Sequence, residues 1–156
     1  MLTFPSVNDR QRRVSMVKVE GFFDRGKSRV NEGEAQAIVA EIKKRYADPE
    51  RKKQTIGVVT FNVNQQTLIE DLLQEEYQKD LNFDKWANME EEPLFVKNLE
   101  NVQGDERDVI LFSVAFGPDA EGKLSMNFGP LNRDGGWKRL NVAVSRARCE
   151  WWCFLL

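Results

Sequence analysis

Two short apolar runs constrain the fold of this chain more than any other feature of its sequence. They are Thr55–Phe61 (TIGVVTF) and Val109–Phe116 (VILFSVAF), and neither alternates between apolar and polar residues. Strands that are apolar on both faces are typical of a parallel sheet that is covered on both sides. Apolar residues at helical spacing occur before the first run (Ala35, Ile38, Val39, Ile42 and Tyr46) and between the two runs (Leu68, Ile69, Leu72, Leu73 and Tyr77). This alternation predicts an α/β three-layer sandwich with a mainly parallel sheet.

The rest of the chain is divided by the same patterns. Residues 1–13 are expected to be a lead-in segment without regular structure, followed by one domain over residues 14–156. Asn31 followed by Glu34 resembles a capping box and predicts the start of the first helix. Further predictions are a strand over 14–23, an irregular acidic segment over 81–93, a short strand over 94–97, a helix over 137–148 and a last strand over 150–156.

Composition excludes several kinds of site. The chain has no histidine, which removes the commonest general base and any Ser–His or Cys–His nucleophile pair. Cys149 and Cys153 lie roughly 13 Å apart in a predicted strand, too far for a disulfide, and no metal site is expected. A net charge of −2 is unlike that of a stand-alone nucleic-acid-binding domain, so any such binding is expected to be local. We see no membrane-spanning run or signal peptide and expect a cytoplasmic protein.

One segment matches a phosphate-binding motif. Gly21–Ser28 (GFFDRGKS) fits the P-loop pattern G-x-x-x-x-G-K-[ST], whose lysine binds phosphate and whose hydroxyl binds Mg²⁺. Phe22, Phe23 and Asp24 suit poorly a loop that must wrap its backbone N–H groups around a phosphate. The helix start signal at Asn31 comes too late, and no apolar strand ends in an acid that would hold the metal. We interpret the segment as a charged surface loop, with a stand-alone P-loop ATPase or kinase as the alternative.

Two other segments place polar groups beside apolar ones. In the first, the turn Gln103-Gly104-Asp105-Glu106 comes just before the second buried strand, at a sheet edge, where α/β proteins tend to bind ligands. In the second, WKRLNVAVSRAR over residues 137–148, a helix would place Arg139 and Arg146 about two turns apart, away from an apolar face. Trp137, beside this segment, is expected to pack in the core or against another domain.

These segments resemble motif V (Q-G-x-E before an apolar strand) and motif VI (R-L-N-V-A-[LV]-[ST]-R-A-[RK]) of superfamily 1 helicases. Residues 55–66 are similar to the I-G-[IV]-[IV]-[ST]-x-Y-x-x-Q segment of the branch that contains the nonsense-mediated-decay helicase, with Asn62 at the aromatic position. Residues 31–35 resemble that branch's N-x-x-E-A helix start. The resemblance covers nearly the whole chain and implies a RecA-like domain of the P-loop NTPase fold. The branch's own P-loop, Asp-Glu strand and Q-Y-R segment are not found, so the chain resembles the second RecA-like domain only.

The resemblance also implies roles at a nucleotide site. Arg146 matches the arginine finger, which stabilises the charge of phosphoryl transfer at an ATP site between two RecA-like domains. Glu106 matches the acid that accepts hydrogen bonds from the ribose hydroxyls. Gln103 and Gly104 would shape that turn, and Arg148 is a further nucleotide contact. A surface ion pair is the alternative for Glu106 and for Arg148.

The expected function is therefore that of the second motor domain of an ATP-dependent helicase. Thr60 and Asn98 match positions that contact the phosphates of single-stranded nucleic acid, with DNA favoured over RNA; capping of strand ends is their alternative role. ATP and Mg²⁺ are the expected cofactors, with the Mg²⁺ ligands on an upstream RecA-like domain that is also the expected partner. Alone, the chain is expected to be inactive. A non-catalytic RecA-like binding module is the second alternative.

Overall fold

The described part of the chain, residues 2–5, 13–124 and 129–156 of a computed structural model, alternates strands and helices as the sequence predicts. In chain order the elements are β1 (Leu2–Pro5), β2 (Arg13–Lys18), α1 (Glu32–Ala47), β3 (Ile56–Thr60), α2 (Val63–Lys79), α3 (Leu81–Ala87), β4 (Phe95–Asn98), β5 (Arg107–Ser113), α4 (Gly136–Val144) and β6 (Ala147–Leu155). Two short 3₁₀ turns lie at Arg51–Lys53 and Gly129–Asn132.

The strands form one sheet in the order β1-β2-β6-β5-β3-β4. Strands β2, β6, β5, β3 and β4 are parallel, and only β1 pairs antiparallel, with β2, at one edge. The prediction of a mainly parallel sheet is confirmed. Because the five strands point the same way, the sheet has an amino edge, where these strands begin, and a carboxyl edge, where they end. The two edges are separated by roughly 20 Å, the length of a six-residue strand.

Both faces of the central strands are covered, which explains why residues 56–59 of β3 and 109–112 of β5 include no polar side chain. On one face Val58 and Leu111 pack in a cluster with residues of α1, α2 and α3. On the other face Val59 and Phe112 pack with Ala143 of α4 and with the chain that follows β4. The predicted three-layer sandwich is therefore confirmed.

A close approach between neighbouring strands requires glycine in β3. Gly57 pairs in register with Phe95 of β4. A Cβ atom at Gly57 would lie 2.3 Å from Cζ of Phe95, well inside van der Waals contact. The phenyl ring therefore lies directly over the glycine, and the absence of a side chain there lets the edge strand cover the sheet.

Three element predictions are wrong. The segment expected to be an unstructured lead-in contains β1, and the strand expected over 14–23 ends at Lys18. The acidic stretch expected to be irregular contains α3, because the Asp80 carboxylate caps its first backbone N–H groups and Phe83 packs against Tyr46 and Tyr77 at ring distances of 5.1 and 5.3 Å. Tertiary contacts thus stabilise a seven-residue helix that the local sequence does not predict.

The helix expected over 137–148 is also too long. Helix α4 ends at Val144, so Arg146 lies in a turn and Arg148 lies on β6. The apolar residues from Ala147 onward pair with the central strand β5, and the strand pairing prevails over the helical pattern.

A buried arginine joins the end of α1 to the sheet. The Arg45 side chain is fully buried, and its guanidinium lies 2.9 Å from Glu41 and 2.8 Å from Glu150 of β6. Its third nitrogen donates to the side chain of Gln54 at 3.2 Å, and the group lies 5.1 Å from the ring centre of Trp152. Each nitrogen of the Arg45 guanidinium therefore has a partner, and the group lies over an aromatic ring.

We predict that Arg45→Ala lowers the free energy of unfolding by about 3–5 kcal/mol, because two partly buried carboxylates lose their cation. Arg51→Ala is the matched control: Arg51 is 40% exposed and lies 3.7 and 3.9 Å from its carboxylates, so its loss should cost less than about 1 kcal/mol. Urea unfolding at neutral pH measures both. Equal losses in the two variants would contradict a structural role for the Arg45 cluster.

Candidate functional site

The amino edge of the sheet brings two of the predicted site residues together. Strands β5 and β6 are neighbours, with Arg107 in register with Ala147, so the turns before them meet. The backbone N–H of Arg107 donates to the carbonyl of Arg146 at 3.1 Å. The Arg146 guanidinium lies 3.7 Å from the Glu106 carboxylate. Residues 40 positions apart in the sequence therefore form one cation–anion pair at this edge.

Arg146 is held by the end of the preceding helix. Its Nε donates to the carbonyl of Val142 at 3.0 Å, and one terminal nitrogen donates to the hydroxyl of Ser145 at 3.0 Å. A cation is favoured at the C-terminus of a helix, where the free carbonyls carry partial negative charge. The other terminal nitrogen faces Glu106, whose side chain is 55% exposed. The guanidinium is thus oriented by the protein while an exposed acid is its only charged partner in the described residues.

The polar segment before β5 forms an exposed turn, as its sequence predicts. Gln103 and Gly104 lie in an exposed turn, and Gly104 has φ +88°, a left-handed conformation that favours glycine. Lack of space does not favour glycine at this position, because a Cβ atom there would meet nothing within 4 Å. The turn is fixed to β4 by an ion pair of 2.6 Å between Lys97 and Asp105.

Arg148 lies at the same edge but is bound within the protein. Its guanidinium donates to Glu92 at 2.5 Å and to the Thr55 hydroxyl at 3.2 Å, and lies 3.3 Å from Asp108. Thr55 in turn exchanges hydrogen bonds with Asp108 at 3.0–3.2 Å. The hydrogen bond to Glu92 raises the pKa of Arg148 above its ordinary value. Arg148 therefore connects the start of its own strand, β6, to the starts of β3 and β5.

The other predicted residues, Thr60 and Asn98, lie at the opposite, carboxyl edge. They are register partners at the ends of β3 and β4, and both are buried. The Thr60 hydroxyl donates to the carbonyl of Asn62 at 2.8 Å. The Asn98 side chain accepts from the N–H of Glu100 at 3.0 Å and donates to Gln66 at 3.2 Å. Their contacts are those of the alternative role, the capping of strand ends, and the structure separates them from Arg146 and Glu106.

A buried carboxylate that the sequence analysis treated only as part of a helix cap organises the carboxyl edge. Glu34 is fully buried, and one of its oxygens accepts from the Ser113 hydroxyl and from the N–H of Ala115, both at 2.8 Å. Its other oxygen accepts from the side chain of Asn31 at 3.0 Å. Burial raises the pKa of Glu34 to about 7, although these three donors oppose the shift.

Gln65 extends this cluster to the second helix. Its amide donates to the Asn31 carbonyl at 2.9 Å and to the Ser113 hydroxyl at 3.0 Å, and it accepts from the N–H of Asn31 at 2.8 Å. We call Asn31, Glu34, Gln65 and Ser113 the polar hub. The sequence contains two relevant patterns, the N-x-x-E pattern that starts at Asn31 and the Thr60-to-Gln65 pattern. Neither pattern indicates that these two segments contact each other through β5.

The P-loop-like segment does not form a phosphate-binding helix start. The Ser28 hydroxyl and N–H both donate to the Asp24 carboxylate, at 2.6 and 3.0 Å. Helix α1 begins only at Glu32, with Asn31 as its cap, as predicted. The hydroxyl that a P-loop would present to a metal ion is therefore bound to an acid of the same loop.

Across 2–5, 13–124 and 129–156, no three His, Cys, Asp or Glu side chains come together in an arrangement that could hold a metal ion. None of the helices in these ranges has the length and apolarity needed to cross a membrane.

Comparisons with known proteins are consistent with the predicted family. A family model described as an AAA domain matches residues 3–154. An uncharacterized ATP-dependent helicase of Mycoplasma genitalium is 39% identical over 127 residues, covering 78% of this chain and 11% of the helicase. Its homolog in Mycoplasma pneumoniae is 39% identical over 120 residues, covering 74% of this chain and 10% of that protein. The chain thus spans about a tenth of the length of these relatives.

A solved structure supports the fold. The C-terminal domain of a possible DNA helicase from Lactobacillus plantarum aligns with a TM-score of 0.52 over 91% of this chain and 73% of that domain, at 12% sequence identity. The predicted RecA-like α/β fold is confirmed, and the AAA-domain and helicase matches agree with the predicted helicase family.

The polar hub generates a prediction about pH. Because the pKa of Glu34 is about 7 in the fold and 4.5 as its ordinary value, its stabilising contribution is complete below pH 4.5 and is lost as the pH rises to about 7. The loss is about 3 kcal/mol. In Glu34→Gln this pH dependence should vanish.

Urea unfolding of both proteins between pH 4.5 and 7.5 measures the effect. Other carboxylates titrate equally in the two proteins and cancel in the difference. A difference in unfolding free energy that stays constant over this range would show that Glu34 does not titrate there.

Proposed function

Since this chain belongs to the AAA domain family, we propose that it is the second RecA-like domain of an ATP-dependent helicase motor. In this proposal it supplies an arginine finger and ribose contacts to an ATP site whose phosphate-binding half lies on an upstream RecA-like domain. The observation that carries the proposal is the pair of Arg146 and Glu106 at the amino edge. The helicase motifs assign these two residues to the phosphates and to the ribose of one nucleotide.

The geometry of Arg146 suits a finger. Its Nε and one terminal nitrogen are bound by the end of α4, so the guanidinium is preorganised. Its only charged partner within the described residues is a half-exposed acid 3.7 Å away, an interaction that water screens strongly. The cation can therefore exchange that acid for phosphate oxygens at low cost. A positioned guanidinium is worth about 10³–10⁵ in the rate of phosphoryl transfer.

Glu106 and its turn suit the sugar of the nucleotide. An exposed carboxylate accepts hydrogen bonds from hydroxyl groups, and Gln103 and Gly104 hold the turn from which it projects. Arg148 supports this edge from within, through Glu92 and Asp108, and we place it behind the nucleotide rather than on the phosphates.

ATP and Mg²⁺ are the proposed cofactors, and bound Mg²⁺ would neutralise charge on the phosphates during hydrolysis. The metal ligands are assigned to the upstream domain. The outer face of α4 fits contact with such a domain, because Trp137 and Val144, two turns apart, are 62% and 43% exposed. The expectation that Trp137 packs in the core is wrong. Its alternative, packing against another domain, becomes part of this proposal.

Single-stranded nucleic acid is the proposed partner at the carboxyl edge, with DNA favoured over RNA, and the cytoplasm is the proposed location. Thr60 and Asn98 lie side by side there and hold the turns that follow β3 and β4. We propose that they shape the surface that receives the phosphate backbone. The stand-alone P-loop alternative is disfavoured by the bonds between Ser28 and Asp24. A non-catalytic RecA-like module remains the competing function.

In the longer protein that contains this domain, Arg146→Ala should lower kcat for ATP hydrolysis by about 10³-fold, because the transition state loses its guanidinium. Stability should change by less than about 1 kcal/mol, since the ion pair is exposed. Arg133→Ala is the matched control: Arg133 also lies 3.7 Å from a glutamate, Glu100, but near the other edge of the sheet. Its kcat should be unchanged.

The outcomes separate the candidate functions. An unchanged kcat in Arg146→Ala would support the non-catalytic module and exclude the finger. The 156-residue chain alone should not hydrolyse ATP. Turnover by this chain that Lys27→Ala abolishes would restore the P-loop alternative.

A further inference from the structure

The loop between β2 and α1 has features that the proposed function does not use. Residues 22–29, which we call the β2–α1 loop, contain an exposed aromatic ring and two exposed cations on a tightly closed turn. Resting on the proposed function, we propose that this loop binds single-stranded nucleic acid, with Lys27 and Arg29 on phosphates and Phe22 against a base.

The turn is closed by its own hydrogen bonds. The Asp24 carboxylate accepts from the N–H and hydroxyl of Ser28, at 3.0 and 2.6 Å. The N–H of Arg29 donates to the Asp24 carbonyl at 2.8 Å, and the N–H of Asp24 donates to the carbonyl of Val30 at 3.0 Å. The loop is therefore preorganised, and a ligand would not bear the entropic cost of ordering it.

The loop is also anchored over the carboxyl edge. Phe23 is buried, with its ring centre 5.2 Å from that of Phe116. The side chain of Asn64, in the first turn of α2, donates to the carbonyl of Ser28 at 2.6 Å. Asn64 is four residues beyond Thr60, so the loop adjoins the surface that we assign to the phosphate backbone.

What the loop presents to solvent matches a single strand. Phe22 is 53% exposed although the next residue is buried, and an exposed aromatic face accepts any base. Lys27 and Arg29 are exposed, and neither side chain forms a salt bridge with any residue that the structure describes. An exposed ring and two exposed cations without a salt bridge, all on this loop, match the bases and phosphates of a single strand in chemical type.

The backbone of Arg29 is a further sign of function. Its φ is +58°, a left-handed conformation that is uncommon for residues other than glycine, asparagine and aspartate. Such strained conformations cluster at active sites and ligand-binding segments. Here the closed turn maintains the conformation, and the cation remains exposed.

The surroundings limit the strength of this binding. Two exposed acids, Glu20 and Glu32, bracket the loop, and the whole chain carries a net charge of −2. Long-range attraction of a polyanion is therefore weak, and stacking on Phe22 must contribute beside the two cations.

The test measures binding of a fluorescent 15-residue oligothymidylate to the longer protein, without nucleotide, at several salt concentrations. The first variant is Lys27→Gln with Arg29→Asn, which removes both charges while asparagine tolerates the left-handed backbone. We expect affinity to fall about tenfold at low salt. The slope of log K against log salt should decrease by about 1.4, from two lost phosphate contacts at about 0.7 each.

Phe22→Ala should weaken binding at least about fivefold with an unchanged salt slope, because stacking releases no counterions. The matched control is Lys44→Gln with Lys85→Gln, which removes two exposed charges elsewhere on the surface. Its affinity and salt slope should equal those of the unmodified protein.

Equal binding by the loop variants and the control overturns the proposal, as does a loss of ATP turnover without a loss of oligonucleotide affinity. Thermal unfolding identifies a variant that does not fold; in that case Lys27→Gln alone, expected to reduce the slope by about 0.7, replaces it. If the unmodified protein binds no oligonucleotide, the nucleic-acid part of the proposed function fails as well. If it binds and the variants bind equally, only the loop proposal fails.

Discussion

The structure depends most on one buried carboxylate that has no buried cation beside it. Glu34 lies in the first turn of α1, and its oxygens receive the Ser113 hydroxyl, the N–H of Ala115 and the Asn31 amide. Whether protonated or charged, a buried carboxyl group is tolerated only where hydrogen bonds replace its lost hydration. All three donors must therefore stay in place, which fixes the end of β5 against the start of α1. Gln65 extends the same constraint to α2, because its amide binds both Asn31 and Ser113.

This constraint determines what the carboxyl edge can present. Once α1 and α2 begin at fixed positions, Asn64 can hold the carbonyl of Ser28, and Thr60 can hold that of Asn62. The β2–α1 loop and the ends of β3 and β4 thus form one continuous surface. Strand β5 connects this surface to the amino edge, since it ends at Ser113 in the polar hub and begins one residue after Glu106. A shift of β5 along its axis would therefore disturb both edges.

The sequence predicted those elements whose stability comes from local patterns. The apolar runs of β3 and β5, the asparagine cap of α1 and the helical spacing in α2 all lie within a few residues of one another, and each is present. Helix α3 and the early end of α4 could not be predicted, because their causes include the contact with Tyr46 and the pairing with β5, which lie far away in the sequence. The same distinction applies to the site. The motifs named Arg146 and Glu106, but only the register of β5 with β6 brings them together.

That register also bears on the proposed nucleotide site at this edge, which would need a second domain. The ends of parallel strands offer backbone carbonyls and N–H groups, and α4 reaches this edge with its C-terminus, which favours a cation. Arg146 and Glu106 therefore provide one positive and one negative group, which suit phosphate and sugar respectively. Helices α1 and α2 begin at the carboxyl edge, so their N-terminal N–H groups lie at the opposite edge from this pair. A polyphosphate needs several N–H donors as well as one guanidinium. The amino edge can complete a phosphate site but has too few donors to form one alone.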